Sequence, residues 1–150
     1  MTEIRDLLSY RVHMVANLLS RGAELRYRRE FGVSLWEWRT LALLGAATAP
    51  LSLGHLAHAA GIHKSQMSRV VSGLARRKLV VRDANSQDAR GVHLTLSRSG
   101  RKLYAGLIEA ASQRDRAFRG CLTRDEKQAF DSALAKLAGQ ARAFIQQEKK

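Results

Sequence analysis

The sequence is poor in cysteine, proline and aromatic residues. Its 150 residues include one cysteine, Cys121, and one proline, Pro50. A single cysteine excludes an intrachain disulfide, and a single proline leaves long stretches free to form helices. Tryptophan, tyrosine and phenylalanine together make up 6% of the chain, and none lies between Leu51 and Leu103. The central segment therefore lacks the aromatic stacking platforms that are typical of RNA-binding proteins.

Long apolar runs are also missing. No stretch approaches the roughly 20 apolar residues that a membrane-spanning helix needs, and residues 1–6 lack the basic and apolar segments of a signal peptide. We therefore expect no membrane partner and a cytoplasmic location. The chain also contains no Gly-x-Ser-x-Gly, no phosphate-binding glycine loop and no His-Glu-x-x-His. An enzyme would need a different constellation, so we expect neither catalysis nor a cofactor.

Acidic residues are scarce relative to basic ones. The chain has 26 Lys and Arg against 13 Asp and Glu, which gives a net charge of +13. The excess is central, because residues 63–102 hold ten Lys and Arg and only two acidic residues. Nucleic acid is the partner that such a charge favours. Charge alone does not distinguish DNA from RNA or from an anionic membrane.

Apolar periodicity predicts a mostly helical chain. A first helix over 4–30 carries two apolar stripes, which indicates contact with a partner chain as well as with its own core. A second helix is predicted over 34–47, with Ser34 as its cap, and a short third helix over 53–60, with Ser52 as its cap. Gly61 marks a tight turn before a fourth helix over 64–77.

Two strands and two further helices complete the predicted order. Residues 79–82 and 92–96 have the composition of short strands, and the polar stretch between them predicts a β-hairpin. A helix over 98–119 follows, with Ser97 as its predicted cap and Gly100 as a weak point of its first turn. The last helix begins after Thr123, which has capping-box spacing with Glu126. Its apolar residues repeat at intervals of four and three, a seam suited to helix pairing. These seam residues are Phe130, Leu134, Leu137, Ala141 and Phe144.

The fourth predicted helix has two contrasting faces. Its inner stripe is apolar, and the opposite face carries Ser65, Arg69, Ser72 and Arg76. Side chains of these types can form hydrogen bonds with bases or phosphates. The order of helix, tight turn, helix, strand, polar loop and strand is that of a winged helix-turn-helix, which places its second helix in the DNA major groove. Arg90, at the tip of the hairpin, is expected to enter the minor groove.

The central segment resembles the multiple-antibiotic-resistance regulator (MarR) family of bacterial repressors. The stretch LSLGHLAHAAGIHKSQMSRVVSGLARRKLVVR is similar to that family's helix-turn-helix and first wing strand, and LTLSRSGRKL is similar to its junction between wing and helix. Asp88-Ala89-Arg90 is similar to the acid-x-Arg motif of the wing, in which the acid orients the arginine toward DNA. The chain departs from the pattern at Lys78, where the family usually has glycine, and at His63, where it often has Ser or Asp.

The resemblance implies a homodimer that binds a pseudo-palindromic operator of double-stranded DNA and is often released by a small aromatic or anionic ligand. We expect a single domain over 1–150 that is mainly α with a small β-hairpin wing. Its DNA-binding lobe is expected over 33–97, and its helical dimerisation lobe over 1–30 and 98–150. The residues expected to contact DNA are Lys64, Ser65, Gln66, Ser68, Arg69, Ser72, Arg76, Asp88 and Arg90.

An effector pocket is expected between the first two helices and the DNA-binding lobe. An aromatic wall with a cationic anchor suits an aromatic carboxylate or a phenol. The residues expected to line this pocket are Tyr10, His13, Trp36, Trp38 and Arg39. The alternative is that the two tryptophans belong to the core or to an interface.

Histidines and the cysteine suggest two further roles that the sequence does not favour. His55 and His58 share a helix face and lie near His63, but no nearby cysteine or carboxylate completes a metal site. Peroxide-sensing relatives have a cysteine near the start of the first helix, whereas Cys121 lies far from it. We therefore expect no metal site, and a thiol that is structural or incidental. The strongest rival to a sequence-specific regulator is an RNA-binding protein or a nonspecific nucleic-acid-binding protein, and a sharp sequence preference would exclude the nonspecific alternative.

Overall fold

A computed structural model describes residues 3–83 and 91–149 of the chain. Within these ranges the chain forms six α-helices and three short strands. The helices are α1 (Leu8–Phe31), α2 (Leu35–Ala46), α3 (Leu53–Ala60), α4 (Lys64–Arg76), α5 (Arg98–Gly120) and α6 (Arg124–Glu148). The strands are β1 (Leu51–Ser52), β2 (Val80–Asp83) and β3 (His93–Leu96). The predicted fold class, mainly α with a small antiparallel wing, is confirmed.

The chain divides into two compact units, Met1–Glu109 and Ala110–Lys150. The first unit contains α1 to α4, the sheet and the first half of α5. The second unit contains the remainder of α5 together with α6. The lobe boundaries expected from the sequence, at 33–97 and 98–150, stay a prediction.

Two features of the first unit differ from the sequence prediction. The first α-helix begins at Leu8 rather than at residue 4, because Leu7 is extended with ψ 131° and Ile4–Asp6 forms a separate 3-10 turn. Strand β1 was not predicted, since its two residues are too few for alternation to show. It pairs antiparallel with β3, with Leu51 opposite Leu94, and gives the strand order β1-β3-β2.

The helix caps predicted from the sequence form in the structure. Ser34 Oγ accepts a hydrogen bond from the Glu37 N–H at 3.1 Å, and the Glu37 carboxylate accepts one from the Ser34 N–H at 2.7 Å. Thr123 and Glu126 make the same reciprocal pair at the start of α6, and the Thr123 N–H lowers the pKa of Glu126 below its usual value. Ser52 Oγ caps α3. Each such cap contributes about 1 kcal/mol to stability.

The core of the first unit fixes the orientation of α4. Among its fully buried side chains are Leu41 of α2, Leu56 of α3 and Leu94 of β3. The inner stripe of α4 packs into the same core, with Met67, Val71 and Leu74 buried. Because residues four positions apart share a helix face, burial of this stripe forces the opposite face of α4 outward.

The end of α4 is joined to the start of α5 by a small set of close contacts. Ser97 Oγ donates to the Lys78 carbonyl at 2.6 Å and accepts from the Gly100 N–H at 2.9 Å, so it caps α5 as predicted. The Ser97 N–H donates to the Leu79 carbonyl at 3.0 Å. A Cβ placed on Gly100 would lie 2.0 Å from that same carbonyl oxygen. The close approach therefore requires glycine at position 100.

Lys78 has a backbone conformation that suits glycine. It is the one non-glycine residue with positive φ in the described ranges, at 57°. A side chain in this left-handed region costs roughly 1–2 kcal/mol. The helix thus ends in the same way as helices with a terminal glycine, but at a cost in stability.

We expect Lys78→Gly to raise the free energy of unfolding by up to about 1 kcal/mol, because glycine removes this strain. The gain is partly offset, since glycine loses more backbone entropy on folding than lysine does. Thermal unfolding measures the change. Arg76→Gly, in the last helical position of α4, is the matched control and should destabilise by about 1 kcal/mol. A Lys78→Gly variant that melts below the wild type would contradict the strain argument.

Candidate nucleic-acid interface

The outward face of α4 is polar and positively charged. Seven of the residues expected to contact DNA lie on this helix. Five are exposed, namely Lys64, Ser65, Gln66, Arg69 and Arg76, and two are half-buried, namely Ser68 and Ser72. Neither Arg69 nor Arg76 has an ion-pair partner among the described residues. Their guanidinium groups are therefore available to an external anion.

The first turn of α4 leaves backbone N–H groups without a side-chain cap. Gly61, with φ 69°, closes α3 and makes the tight corner before α4. His63 occupies the N-cap position in extended conformation, and its side chain makes no capping hydrogen bond. The positive end of a helix with free N–H groups attracts phosphate oxygens. Because His63 occupies the position where the family often has a capping Ser or Asp, the first-turn N–H groups of α4 remain available to an anion.

The wing strands lie beside α4. Strands β2 and β3 pair antiparallel, with Val80 opposite Leu96 and Arg82 opposite Leu94. The predicted wing residues Asp88 and Arg90 lie outside the described residues, so their contribution to DNA binding stays a prediction.

Arg82 is a residue of this surface that the sequence interpretation missed. Its Nη2 donates a hydrogen bond to Ser72 Oγ at 2.8 Å, which ties the wing to α4. Arg82 and Ser68 also line one cleft of about 120 Å³ between these elements. The sequence did contain a signal for this position. Residues two apart in a strand point to the same face of the sheet, so Arg82 lies on the same face as Val80, which is buried in the core.

The expected effector residues are brought together in part. Trp38 and Arg39 line a groove of about 440 Å³ between α2 and α3. The guanidinium carbon of Arg39 lies 4.8 Å from the ring centroid of Trp36, a distance at which cation and aromatic ring attract. The side chains that line the groove do not include Tyr10, His13 or Trp36. The ring of His13 instead lies 2.9 Å from the Asn17 side-chain amide on the same exposed face of α1.

The histidines near α3 and Cys121 lie at the surface. His55, His58 and His63 are exposed, and residues 3–83 and 91–149 contain no group of three or more potential metal ligands. Cys121 is exposed, and its thiol donates to the Phe118 carbonyl at 2.9 Å. Over the same ranges, no helix has the length and hydropathy needed to cross a membrane.

Two helices expose apolar stripes. Both stripes of α1 and the preceding turn are exposed, so the expectation that one of them packs in the chain's own core is wrong. The exposed residues are Ile4, Leu7, Leu8, Val12, Met14, Val15, Leu18, Leu19 and Leu25. The predicted seam of α6 is exposed as well, with Phe130 at 54% and Leu134 at 42% of their full accessible surface. A row of exposed large apolar side chains along a helix is typical of an interaction site.

Comparison with known sequences gives a consistent result. A sequence model of the MarR family matches residues 31–91, which span α2, α3, α4 and the first wing strand. The HTH-type transcriptional regulator FarR of Neisseria gonorrhoeae is 33% identical over 102 residues, which cover 68% of this chain and 69% of that protein.

Comparison with solved structures extends the likeness to nearly the whole chain. A MarR/EmrR family transcriptional regulator from Acinetobacter sp. ADP1 superposes with a TM-score of 0.86 at 25% identity, over 95% of this chain and 99% of that chain. The MepR protein of S. aureus, in its complex with DNA, superposes with a TM-score of 0.82 at 22% identity. The match to MepR covers 90% of this chain and 98% of that chain.

Proposed function

The chain belongs to the MarR family of DNA-binding transcriptional regulators, and on this premise we propose that it is a homodimeric repressor of a pseudo-palindromic operator. It is a transcriptional regulator and not an enzyme. Each protomer places one α4 helix in the major groove of one half-site. The bound dimer prevents transcription by occupying the operator.

The exposed face of α4 is the observation that carries this proposal. Arg69 lies at its centre, with a fork of N–H donors that matches the O6 and N7 acceptors of guanine. Ser65 and Gln66 lie near the uncapped first turn, where hydroxyl and amide groups reach bases or phosphates. The buried inner stripe of α4 supports the arrangement, because it leaves this face no other orientation.

Exposed apolar surface supports the homodimer. The stripes of α1 and the seam of α6 would be covered by the same surfaces of a second chain, as in a two-fold symmetric interface. A dimer also matches a palindromic site, since two half-sites one helical turn apart are separated by about 34 Å on B-DNA.

The groove beside Arg39 supports control by a small ligand. Trp38 supplies an apolar wall, and the guanidinium of Arg39 supplies a positive charge for a carboxylate or a phenolate. The proposed ligand favours a dimer whose half-site spacing no longer fits adjacent major grooves, which shifts the population away from the DNA-bound state.

We expect benzoate, as a simple aromatic carboxylate, to weaken operator binding by about 5-fold to 150-fold at saturation, the range typical of allosteric coupling. Fluorescence anisotropy of labelled operator DNA, titrated with and without benzoate, measures the change. Arg39→Gln should abolish the benzoate effect and leave DNA affinity in the absence of ligand unchanged. Tight benzoate binding that leaves operator affinity untouched would defeat the coupling proposal and leave DNA binding itself standing.

A further inference from the structure

We propose that Arg82 of β2 grips a DNA phosphate together with Ser72 of α4, an inference that rests on the proposed function. Arg82 is exposed and donates to Ser72 Oγ at 2.8 Å. Ser72 lies on the same helix face as Arg69 and Arg76. The hydrogen bond therefore holds a guanidinium group of the wing against the edge of the DNA-binding face.

The Ser72 hydroxyl determines which kind of group can bind to the Arg82–Ser72 pair. A hydroxyl has one donor and two acceptor positions, whereas arginine has donors only. Ser72 Oγ accepts from Arg82 and makes no other side-chain hydrogen bond within the described residues. Its proton is thus free to donate outward, and the group that completes the pair has to be a hydrogen-bond acceptor.

The guanidinium of Arg82 requires the same kind of partner. Of its five N–H donors, one is used by Ser72, and no carboxylate pairs with Arg82 among the described residues. The planar fork of arginine matches phosphate oxygens in a two-bond arrangement. Arg82 lies on strand β2 beside α4 rather than on the helix itself, and about half to two-thirds of all protein–DNA hydrogen bonds go to phosphate and sugar oxygens.

The backbone around Arg82 keeps the pair in place. Arg82 faces Leu94 across the β2–β3 ladder, and Leu94 is buried in the core. Val80, two residues earlier, is buried as well. The strand that carries Arg82 is therefore fixed to the unit that carries α4, so that the wing and the recognition helix approach one DNA backbone as a single rigid surface.

The test is operator affinity measured over a range of salt concentrations for Arg82→Gln, Arg82→Lys, Ser72→Ala and the Arg82→Gln/Ser72→Ala double variant. We expect Arg82→Gln to weaken binding about tenfold and to reduce the slope of log affinity against log salt by about one, as for any lost phosphate contact. Arg82→Lys should restore the slope, because it keeps the charge, but only part of the affinity. The double variant should lose less than the product of the two single losses, since the residues act as a pair.

Two comparators separate this inference from the proposed function. Arg142→Gln removes an exposed arginine of α6 and should leave affinity and salt slope unchanged. Arg69→Ala should bind the operator and an unrelated duplex with similar affinity, because it loses sequence preference. Thermal unfolding checks that Arg82→Gln is folded. The inference is overturned if the folded Arg82→Gln variant binds the operator with the affinity and salt slope of Arg142→Gln. It is also overturned if the affinity losses of the two single variants multiply in the double variant. A wild type that prefers no sequence would overturn the proposed function instead.

Discussion

Replacing Gly100 by alanine is expected to lower the free energy of unfolding by about 3 kcal/mol or more. The added Cβ would lie 2.0 Å from the carbonyl oxygen of Leu79 and 3.0 Å from its carbonyl carbon. Overpacking typically costs about 1–3 kcal/mol, and here the obstacle is backbone, which cannot rotate aside as a side chain does. The start of α5 would have to move away from Leu79, and the hydrogen bonds of Ser97 to Lys78 and Leu79 would be lost.

Replacing an ordinary helical glycine by alanine is expected to have the opposite effect on the free energy of unfolding. A Cβ added to Gly139 of α6 would meet no atom within 4 Å, and replacement of this glycine by alanine should stabilise by about 0.8–1 kcal/mol through helix propensity alone. Thermal unfolding should therefore show Gly100→Ala melting roughly 6–12 °C below the wild type and Gly139→Ala about 2–4 °C above it. Equal and positive shifts for both variants would refute the close approach at Gly100.

Replacing Leu134 and Leu137 by glutamate is expected to abolish the dimer and to reduce operator affinity by about 10²-fold to 10⁴-fold. Both side chains lie on the exposed seam of α6, at 42% and 39% of their full accessible surface. Burying four carboxylates, two from each chain, in an apolar interface is strongly unfavourable. A monomer binds a single half-site and loses the high effective concentration that links two binding events.

Ser132→Glu/Ala143→Glu is the matched control for the seam variant. It adds the same two negative charges to exposed positions on the opposite face of α6. Analytical ultracentrifugation should show a monomer for the seam variant and a dimer for the control, with unchanged helix content in both by circular dichroism. A seam variant that sediments as a dimer and binds the operator normally would place the dimer interface elsewhere.

Periodicity and capping residues predicted most of the first unit. The alternation of buried and exposed positions on α4, the glycine turn at Gly61 and the caps at Ser34 and Ser52 are local signals, so each could be interpreted without knowledge of the rest of the fold. Strand β1 was missed because its two residues pair with β3, about 40 residues away, and no local pattern records that pairing.

The features that escaped prediction depend on contacts between distant elements. Gly100 looked like a weak point of α5, because helix propensity alone disfavours glycine, yet the nearness of Leu79 makes it necessary. The departure at Lys78 left open how α4 ends, and the structure answers with a left-handed lysine. Arg82 resembled any other basic residue of the central segment until its hydrogen bond to Ser72 placed it beside the DNA-binding face.

The position of the apolar stripes on α1 was only half predictable. Two stripes indicated two buried sides, one of them in the chain's own core, but both are exposed in the single chain. Hydrophobic periodicity identifies which residues become buried from solvent. It does not identify whether the covering surface belongs to the same chain or to a second one.

Selection of bound sequences from random duplex DNA, at near-physiological salt, tests the central claim most directly. Salt matters because a net charge of +13 favours nonspecific binding to any duplex. We predict enrichment of an inverted repeat whose half-sites are centred about 10 base pairs apart, as one dimer with two α4 helices requires. Enrichment of no motif, with binding that disappears as salt rises, would contradict the account and identify a nonspecific nucleic-acid-binding protein.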